Sequence, residues 1–458
     1  MDINHKLQAF NSKVFHAYDI RGRYPEDLDP NNVELIVRGF IKFLDKFPGK
    51  NVILVGGDVR WSSPEISKEV TKTLVACGAE VWDLGLSTTP QFTFSLAKSK
   101  AKGGIMITAS HNPVEYNGLK LFEGFRAMSE DVGLKEIIRI VNSGKIAEDS
   151  AGGFLTKKDY RSEYVDFIAS NARFKRKPKV VFDAAGGSVG AILPDILKKI
   201  NLESDCLFLE KDSYLKNHLP NPLSKEAQIP AREKILETGA EAGFIFDVDG
   251  DRVVVLNEMG EEVRSDAVLW LLASRIAKRG DTVVFDLRSS RALREDLEEL
   301  GIKSEKSRVG RTFMNTVMRE HKALLGGELS GHFFFRDFFN SDSALFAAMK
   351  ILEILSESKK KLSALVKTFF RYAHSGEINF KAKGKDQILK KLEEKYGAGE
   401  RNYLDGLTVD FSNWWFNIRP SNTEDILRLV FEAENRKTFG EKEKELLGFL
   451  TDLGAERV

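Results

Sequence analysis

The chain has 458 residues, 42% of them apolar and 30% charged, and a net charge of +1. That length exceeds one ordinary core and predicts three or four domains of about 100–150 residues. The balanced charge excludes a global basic field for nucleic acid or an anionic membrane, so any anion must be held by locally placed cations.

Two cysteines, Cys77 and Cys206, predict a reduced, cytoplasmic protein. The opening Met-Asp-Ile-Asn-His-Lys lacks the pattern of a secretory leader, and no run reaches the roughly 20 apolar residues of a membrane span. In chain order, Tyr18-Asp19-Ile20-Arg21-Gly22 reads as a turn carrying a cation and an aromatic. Residues 30–47 carry Val33, Ile36, Phe40 and Leu44 at helical spacing. Asn51 to Val55 reads as a buried strand, followed by a loop into a helix near Glu65. Val81 to Leu84 is a strand and Thr89-Pro90 a helix start. Ile105 to Ile107 is a short buried strand that stops at Thr108-Ala109-Ser110-His111-Asn112-Pro113. Alternating strands and helices with short connections predict a mostly parallel, doubly wound sheet.

Residues 140–158 are polar and Gly-containing and read as a linker. A second α/β unit opens at Lys179 to Asp183, where the glycines of 184–190 suggest close helix–strand packing. It ends on the strand Gly243 to Phe246 and the run Asp247-Val248-Asp249-Gly250-Asp251-Arg252. A third unit holds strand 282–285, loops at 286–291 and 307–312, the segment Gly327 to His332, and a helix over 341–357. Beyond residue 375 consecutive strands predict an antiparallel α+β domain carrying Arg419-Pro420-Ser421-Asn422-Thr423. The predicted fold is three doubly wound domains with mixed or parallel sheets and a C-terminal α+β domain around a central cleft. The boundaries are 1–153, 154–257, 258–367 and 368–458.

Four loops carry chemistry. Ser110-His111, at the carboxyl end of a buried strand, is where open α/β sheets put their sites, and is equally the composition of a turn. In extended backbone Asp247, Asp249 and Asp251 would share one face, and three crowded carboxylates call for a cation such as Mg²⁺. Glu258 falls at the twelfth position of an EF-hand, but Arg252 stands where that loop needs glycine. Glu328, Ser330 and His332 alternate and suit a grip on sugar hydroxyls, or a capped turn. Arg419, Ser421, Asn422 and Thr423 offer a guanidinium and short donors for a phosphate dianion, or a surface turn. Together these groups fit phosphoryl transfer on a sugar phosphate.

On these four motifs, Thr-Ala-Ser-His-Asn-Pro at 108–113, Asp-Val-Asp-Gly-Asp-Arg at 247–252, Gly-Glu-Leu-Ser-Gly-His at 327–332 and Arg-Pro-Ser-Asn-Thr at 419–423, the chain resembles the α-D-phosphohexomutase superfamily. Within it the resemblance is to the bacterial phosphomannomutase/phosphoglucomutase group. It implies a phosphorylated Ser110 and one Mg²⁺ on Asp247, Asp249, Asp251 and a phosphate oxygen of Ser110. The substrate phosphate would sit on Arg419, Ser421, Asn422 and Thr423, and the sugar hydroxyls on Glu328 and Ser330. The phosphoryl group would move between O1 and O6 of mannose or glucose phosphate through a hexose 1,6-bisphosphate, which also acts as activator. Lys120, His111 and His332 are implied for proton transfer; Arg21, Arg252 and Arg288 for phosphoryl charge; Tyr18 for the cleft lining; Gly310 and His332 for substrate contact. Arg288 stands where relatives often carry Lys, and Val309-Gly310-Arg311 departs from a Gly-His pattern. The partner implied is a small sugar phosphate, with no nucleic acid or membrane, in a monomer or weak homodimer. The alternatives are a phosphoglucosamine mutase and a non-catalytic sugar-phosphate-binding relative.

Overall fold

The computed structural model describes residues 3–421 and 426–458. The chain divides into two compact units, Met1–Val263 with Ser330–Ser363, and Arg264–Leu329 with Ala364–Val458. No helix among the described residues is long and apolar enough to cross a membrane.

In the first unit one sheet runs in the order Ile20–Arg23, Tyr116–Glu123, Gly103–Ile107, Val52–Gly57, Glu80–Leu86, Phe154–Lys157. The last four strands are mutually parallel, and the first two add antiparallel. Alternation places the apolar residues. Ile53, Val55, Ile105 and Ile107 face one core with Val33, Ile36 and Phe40 of the helix Pro30–Leu44. Val52, Leu54 and Met106 face the other, with Phe92 and Leu96 of the helix Thr89–Ser99. Both faces are covered, so these strands are apolar throughout and read as short buried runs.

Residues 140–158 are more than a connector. The helix Leu134–Asn142 runs into them, and Phe154–Lys157 joins the sheet edge parallel to Glu80–Leu86. Its residues are mostly exposed, which is why apolar patterning does not reveal it. A second sheet, in the order Glu262–Val263, Val253–Asn257, Ala242–Phe246, Val180–Asp183, Asp205–Leu207, carries the acidic loop at the end of Ala242–Phe246. Of the glycines in 184–190, Gly187 packs against this loop rather than against a helix. A Cβ on Gly187 would lie 2.6 Å from the Val248 carbonyl oxygen, and the Ser188 N–H donates to that same oxygen. The helix read over 341–357 begins at Ala344, capped by the Ser343 hydroxyl; Ser341–Asp342 is instead a strand paired antiparallel with Phe333–Phe335.

The second unit holds the parallel strands Lys303–Ser307, Thr282–Asp286 and Leu325–Gly327. Its other sheet is antiparallel: Glu400–Asn402, Leu407–Asp410, Trp414–Pro420, Ile426–Ala433, Ile378–Lys381, Glu456–Arg457. Helices Lys385–Lys395 and Arg436–Asp452 cover one face through Leu392, Leu446 and Leu450.

Candidate active site

Ser110 sits just past the strand Gly103–Ile107, buried, with φ +51°. A left-handed backbone is unfavourable for serine and is held here by its surroundings. The Ser110 N–H donates to Thr108 Oγ1 at 2.8 Å. Arg60, fully buried, donates to four loop carbonyls: Ser110 (2.7 Å) and Asn112 (2.6 Å) from Nη2, Pro113 (2.7 Å) and Tyr116 (3.0 Å) from Nη1. Asp58 faces its Nε at 3.3 Å. The next strand passes so close that a Cβ on Gly118 would lie 2.3 Å from the Ile20 carbonyl oxygen, which requires glycine there.

Ser110 Oγ donates to Asp247 Oδ2 at 2.8 Å. Asp247, Asp249 and Asp251 are fully buried and present their oxygens within 4.8 Å of one another. Their convergence comes from a tight turn with Gly250 at φ +72°, not from extended backbone. Thr89, at the start of its helix, grips the turn through its N–H on the Asp249 carbonyl (2.8 Å) and its Oγ1 on Asp249 Oδ2 (2.6 Å). Lys120 Nζ donates to both Asp249 Oδ2 and Asp251 Oδ2 at 2.6 Å. Burial, then the Asp249 and Asp251 charges, push Asp247 well above the usual carboxylate range. A buried Asp249 Oδ1 has no hydrogen-bond partner. This is a donor set that a hard divalent cation satisfies, so the residues fit Mg²⁺.

Around this centre, Arg21 donates to Asp19 (2.8 Å) and Asn112 (2.7 Å), with Tyr18 half-buried beside it. His111 Nδ1 lies 3.3 Å from Ser110 Oγ. Burial, with the Arg252 and Arg21 charges, drives His111 well below the usual imidazole range. Arg252 Nε donates to His332 Nε2 at 2.9 Å. Ser330 is half-buried two residues earlier; the turn there, with Gly331 at φ +90°, replaces the extended spacing read from Glu328 to His332. Glu258 accepts from Ser363 Oγ at 2.5 Å and takes no part in the acidic loop.

The second unit holds the remaining residues. Glu328 is buried and accepts the Gly310 N–H at 2.7 Å. Arg288 chelates Asp286 (Nε–Oδ1 3.1 Å, Nη2–Oδ2 2.6 Å) and donates to Glu377 at 2.8 Å. Glu377 also accepts from Arg419 (3.1 Å) and Arg428 (2.9 Å). Burial alone would raise its pKa, but the Arg288, Arg428 and Arg419 charges hold it at about 2. The Ser421 N–H donates to the Ile426 carbonyl. Asn422 and Thr423 lie outside the described residues.

His374 makes the second unit acid-sensitive. Its Nε2 faces the Arg288 carbonyl at 2.9 Å and its Nδ1 accepts the Gly376 N–H at 3.0 Å, so both nitrogens are satisfied in the neutral ring. Burial and the Arg264 charge hold its pKa at about 3. Below the ordinary value of 6.5 the unfolded chain takes up a proton that the folded ring refuses. Stability is therefore complete above pH 6.5 and falls toward pH 3, by at most about 1.4 kcal/mol per pH unit. The second unit's unfolding midpoint should drop on acidification from pH 6.5 to 5. His374→Gln should flatten that slope, and an equal slope in the variant would refute the assignment.

Asp58, Arg60, Thr89 and Glu377 were not among the residues singled out from sequence. Comparison with known proteins gives the family. The chain matches the four domains of the phosphoglucomutase/phosphomannomutase family: α/β/α domain I over residues 12–147, domain II over 162–260, domain III over 264–372 and the C-terminal domain over 377–447. It is 35% identical over 450 residues to a phosphomannomutase of Methanocaldococcus jannaschii, covering 96% of this chain and 98% of that one. It is 34% identical over 434 residues to a phosphomannomutase/phosphoglucomutase of Pseudomonas syringae, covering 92% of each. A crystal structure of a family protein from Burkholderia thailandensis superposes with a TM-score of 0.89 at 28% identity, covering 98% of this chain and 99% of that one. With four domain matches in order and relatives aligned nearly end to end, the chain belongs to the phosphoglucomutase/phosphomannomutase family and is a phosphohexomutase.

Proposed function

We propose that the chain interconverts the 1- and 6-phosphates of mannose, glucose or both, with Ser110 as phosphoryl carrier. The observation that supports this most is Ser110 Oγ on Asp247, in a strained loop, beside three buried carboxylates. The phosphoryl group passes from Ser110 Oγ to the free hydroxyl of the hexose phosphate. The P–Oγ bond breaks, a P–O bond to the sugar forms, the hydroxyl proton goes to a base, and Ser110 Oγ recovers a proton. The resulting hexose 1,6-bisphosphate turns end for end and returns its other phosphoryl group.

We assign the base at the sugar to His332, whose Nε2 lone pair is held on Arg252. Lys120 and His111 flank Ser110 and its carboxylate partners and are assigned to proton exchange there. Arg21 and Arg252 balance phosphoryl charge. Asp247, Asp249 and Asp251, with a phosphate oxygen on Ser110, would hold one Mg²⁺, which supplies charge neutralisation to the transferring group. The domain partition read from sequence is retained. Tyr18, Arg288, Gly310, Glu328 and Ser330 are assigned to the sugar, and Arg419, Ser421, Asn422 and Thr423 to its phosphate. The protein is read as a cytoplasmic monomer or weak homodimer.

A panel of mannose, glucose and glucosamine 1-phosphates, run with Mg²⁺ and a trace of the matching 1,6-bisphosphate, tests this. Mannose and glucose should each exceed glucosamine in kcat/KM, and chelation should abolish turnover. Preference for glucosamine would overturn the substrate reading; metal-independent turnover would overturn the metal assignment.

A further inference from the structure

Arg419 of Trp414–Pro420 and Arg428 of Ile426–Ala433 stand directly opposite each other on paired strands. Like charges so placed repel unless an anion lies between them. Glu377 supplies that anion from the neighbouring strand. It stands two residues before Asn379, the residue paired with Arg428, so it falls on the same face one step along. Its Oε1 accepts from Arg428 Nη1 at 2.9 Å, and its Oε2 from Arg419 Nη2 at 3.1 Å and Arg288 Nη1 at 2.8 Å. Arg288 is held on Asp286 as well. Arg288 and Arg419 are 4% and 2% exposed, so neither guanidinium can turn to bulk water for its charge. A carboxyl group held at about 2 stays ionised through the neutral range, which makes Glu377 a standing anion at this cluster.

We propose that Glu377 is an internal counter-anion that competes with the substrate's phosphate for Arg419 and Arg428, and so allows the phosphate site to release the bisphosphate for its end-for-end turn. This rests on the reading of Arg419 as a phosphate ligand. A carboxylate and a phosphate offer a guanidinium the same pair of oxygens, so the two anions exchange on one set of N–H groups. Phosphate enters by taking donors from Glu377. When it leaves, Glu377 takes them back, and the buried Arg419 is not stranded as an uncompensated charge. Without the carboxylate, release would leave these cations facing one another, and the phosphate would be held too tightly. The intermediate leaves the phosphate site once in every turnover, so a grip that strengthens the bound state alone slows the cycle. Glu377 touches neither the sugar nor the transferring phosphoryl group. It is a positioning residue that acts through the arginines.

Glu377→Gln keeps the shape of the side chain and removes its charge. Calorimetric titration with inorganic phosphate should give a Kd about tenfold lower in the variant than in the wild-type protein, the scale of one charge-assisted competitor. With the preferred hexose 1-phosphate, KM should fall by a similar factor, and kcat should fall by at least about tenfold as release becomes limiting. A carboxylate that merely braced the arginines would give the reverse, weaker phosphate binding and a raised KM, and either result overturns the proposal. So does an unchanged Kd. The wild-type protein supplies a check that needs no folded variant. In its crystal structure with inorganic phosphate, the anion should sit on Arg419, and the Glu377 carboxylate should have left Arg419 or Arg428. Phosphate bound with the Glu377 contacts intact, or no phosphate at Arg419, would also overturn the proposal. Failure of the mutase reading shows elsewhere, as absent wild-type turnover beside a phosphate affinity that still tightens in Glu377→Gln.

Discussion

Ser110→Ala should lose at least about 10⁴-fold in turnover, because removal of a covalent carrier leaves only binding and charge stabilisation to act. The freshly purified wild-type protein should carry an adduct of about 80 Da that the variant lacks, the mass of one phosphoryl group on a hydroxyl. A second variant separates chemistry from folding. Ser110 holds φ +51°, a conformation that costs a serine roughly 1 kcal/mol and a glycine almost nothing. Ser110→Gly should therefore be as inactive as Ser110→Ala yet unfold at the same or a higher denaturant concentration. That pairing is the signature of strain kept for function. A Ser110→Ala protein that turns over at the wild-type rate, with the adduct still present, would move the carrier to another residue.

The chemistry-bearing loops announce their chemistry in residue type, and less of their geometry. Asp247, Asp249 and Asp251 are legible because three carboxylates after an apolar run are costly without a cation. Their approach through a turn at Gly250 is not legible, since alternation in a strand and a tight turn both bring such residues together. The buried strands 103–107 and 242–246 are legible as apolar runs. The edge strand Phe154–Lys157 is not, because an exposed edge needs no apolar pattern. Asp342 reads as the start of a helix, whereas a short antiparallel pairing with Phe333–Phe335 brings it back beside His332. Glu377 looks like an ordinary charge before a strand, and only the fold gathers Arg288, Arg419 and Arg428 onto it. Groups that touch substrate tend to sit in recognisable local motifs. Groups that hold those motifs in place come from distant segments, and single-sequence spacing carries no record of them.

Arg60 is the clearest of these supports, and its loss should damage both stability and rate. Arg60→Met keeps much of the side-chain volume but strips four loop carbonyls of their donor and leaves Asp58 buried against an apolar group. Breaking a buried ion pair on one side costs about 3–5 kcal/mol, so the first unit's chemical unfolding midpoint should fall sharply. Burial already raises Asp58 and lowers Arg60 from their ordinary pKa values, so desolvation opposes this pair and its hydrogen bonds to the loop carry the benefit. Turnover should fall by at least about 100-fold in the protein that remains folded, because a nucleophile displaced by an ångström loses that much. Arg60→Lys offers a compact cation with no planar fork and cannot reach four carbonyls together, so it should recover part of the stability and little of the rate. The double variant Asp58→Asn/Arg60→Met removes the stranded charge. It should regain stability over Arg60→Met while staying as slow, which separates folding from placement of Ser110. Wild-type turnover in folded Arg60→Met would show that the loop holds Ser110 without this guanidinium.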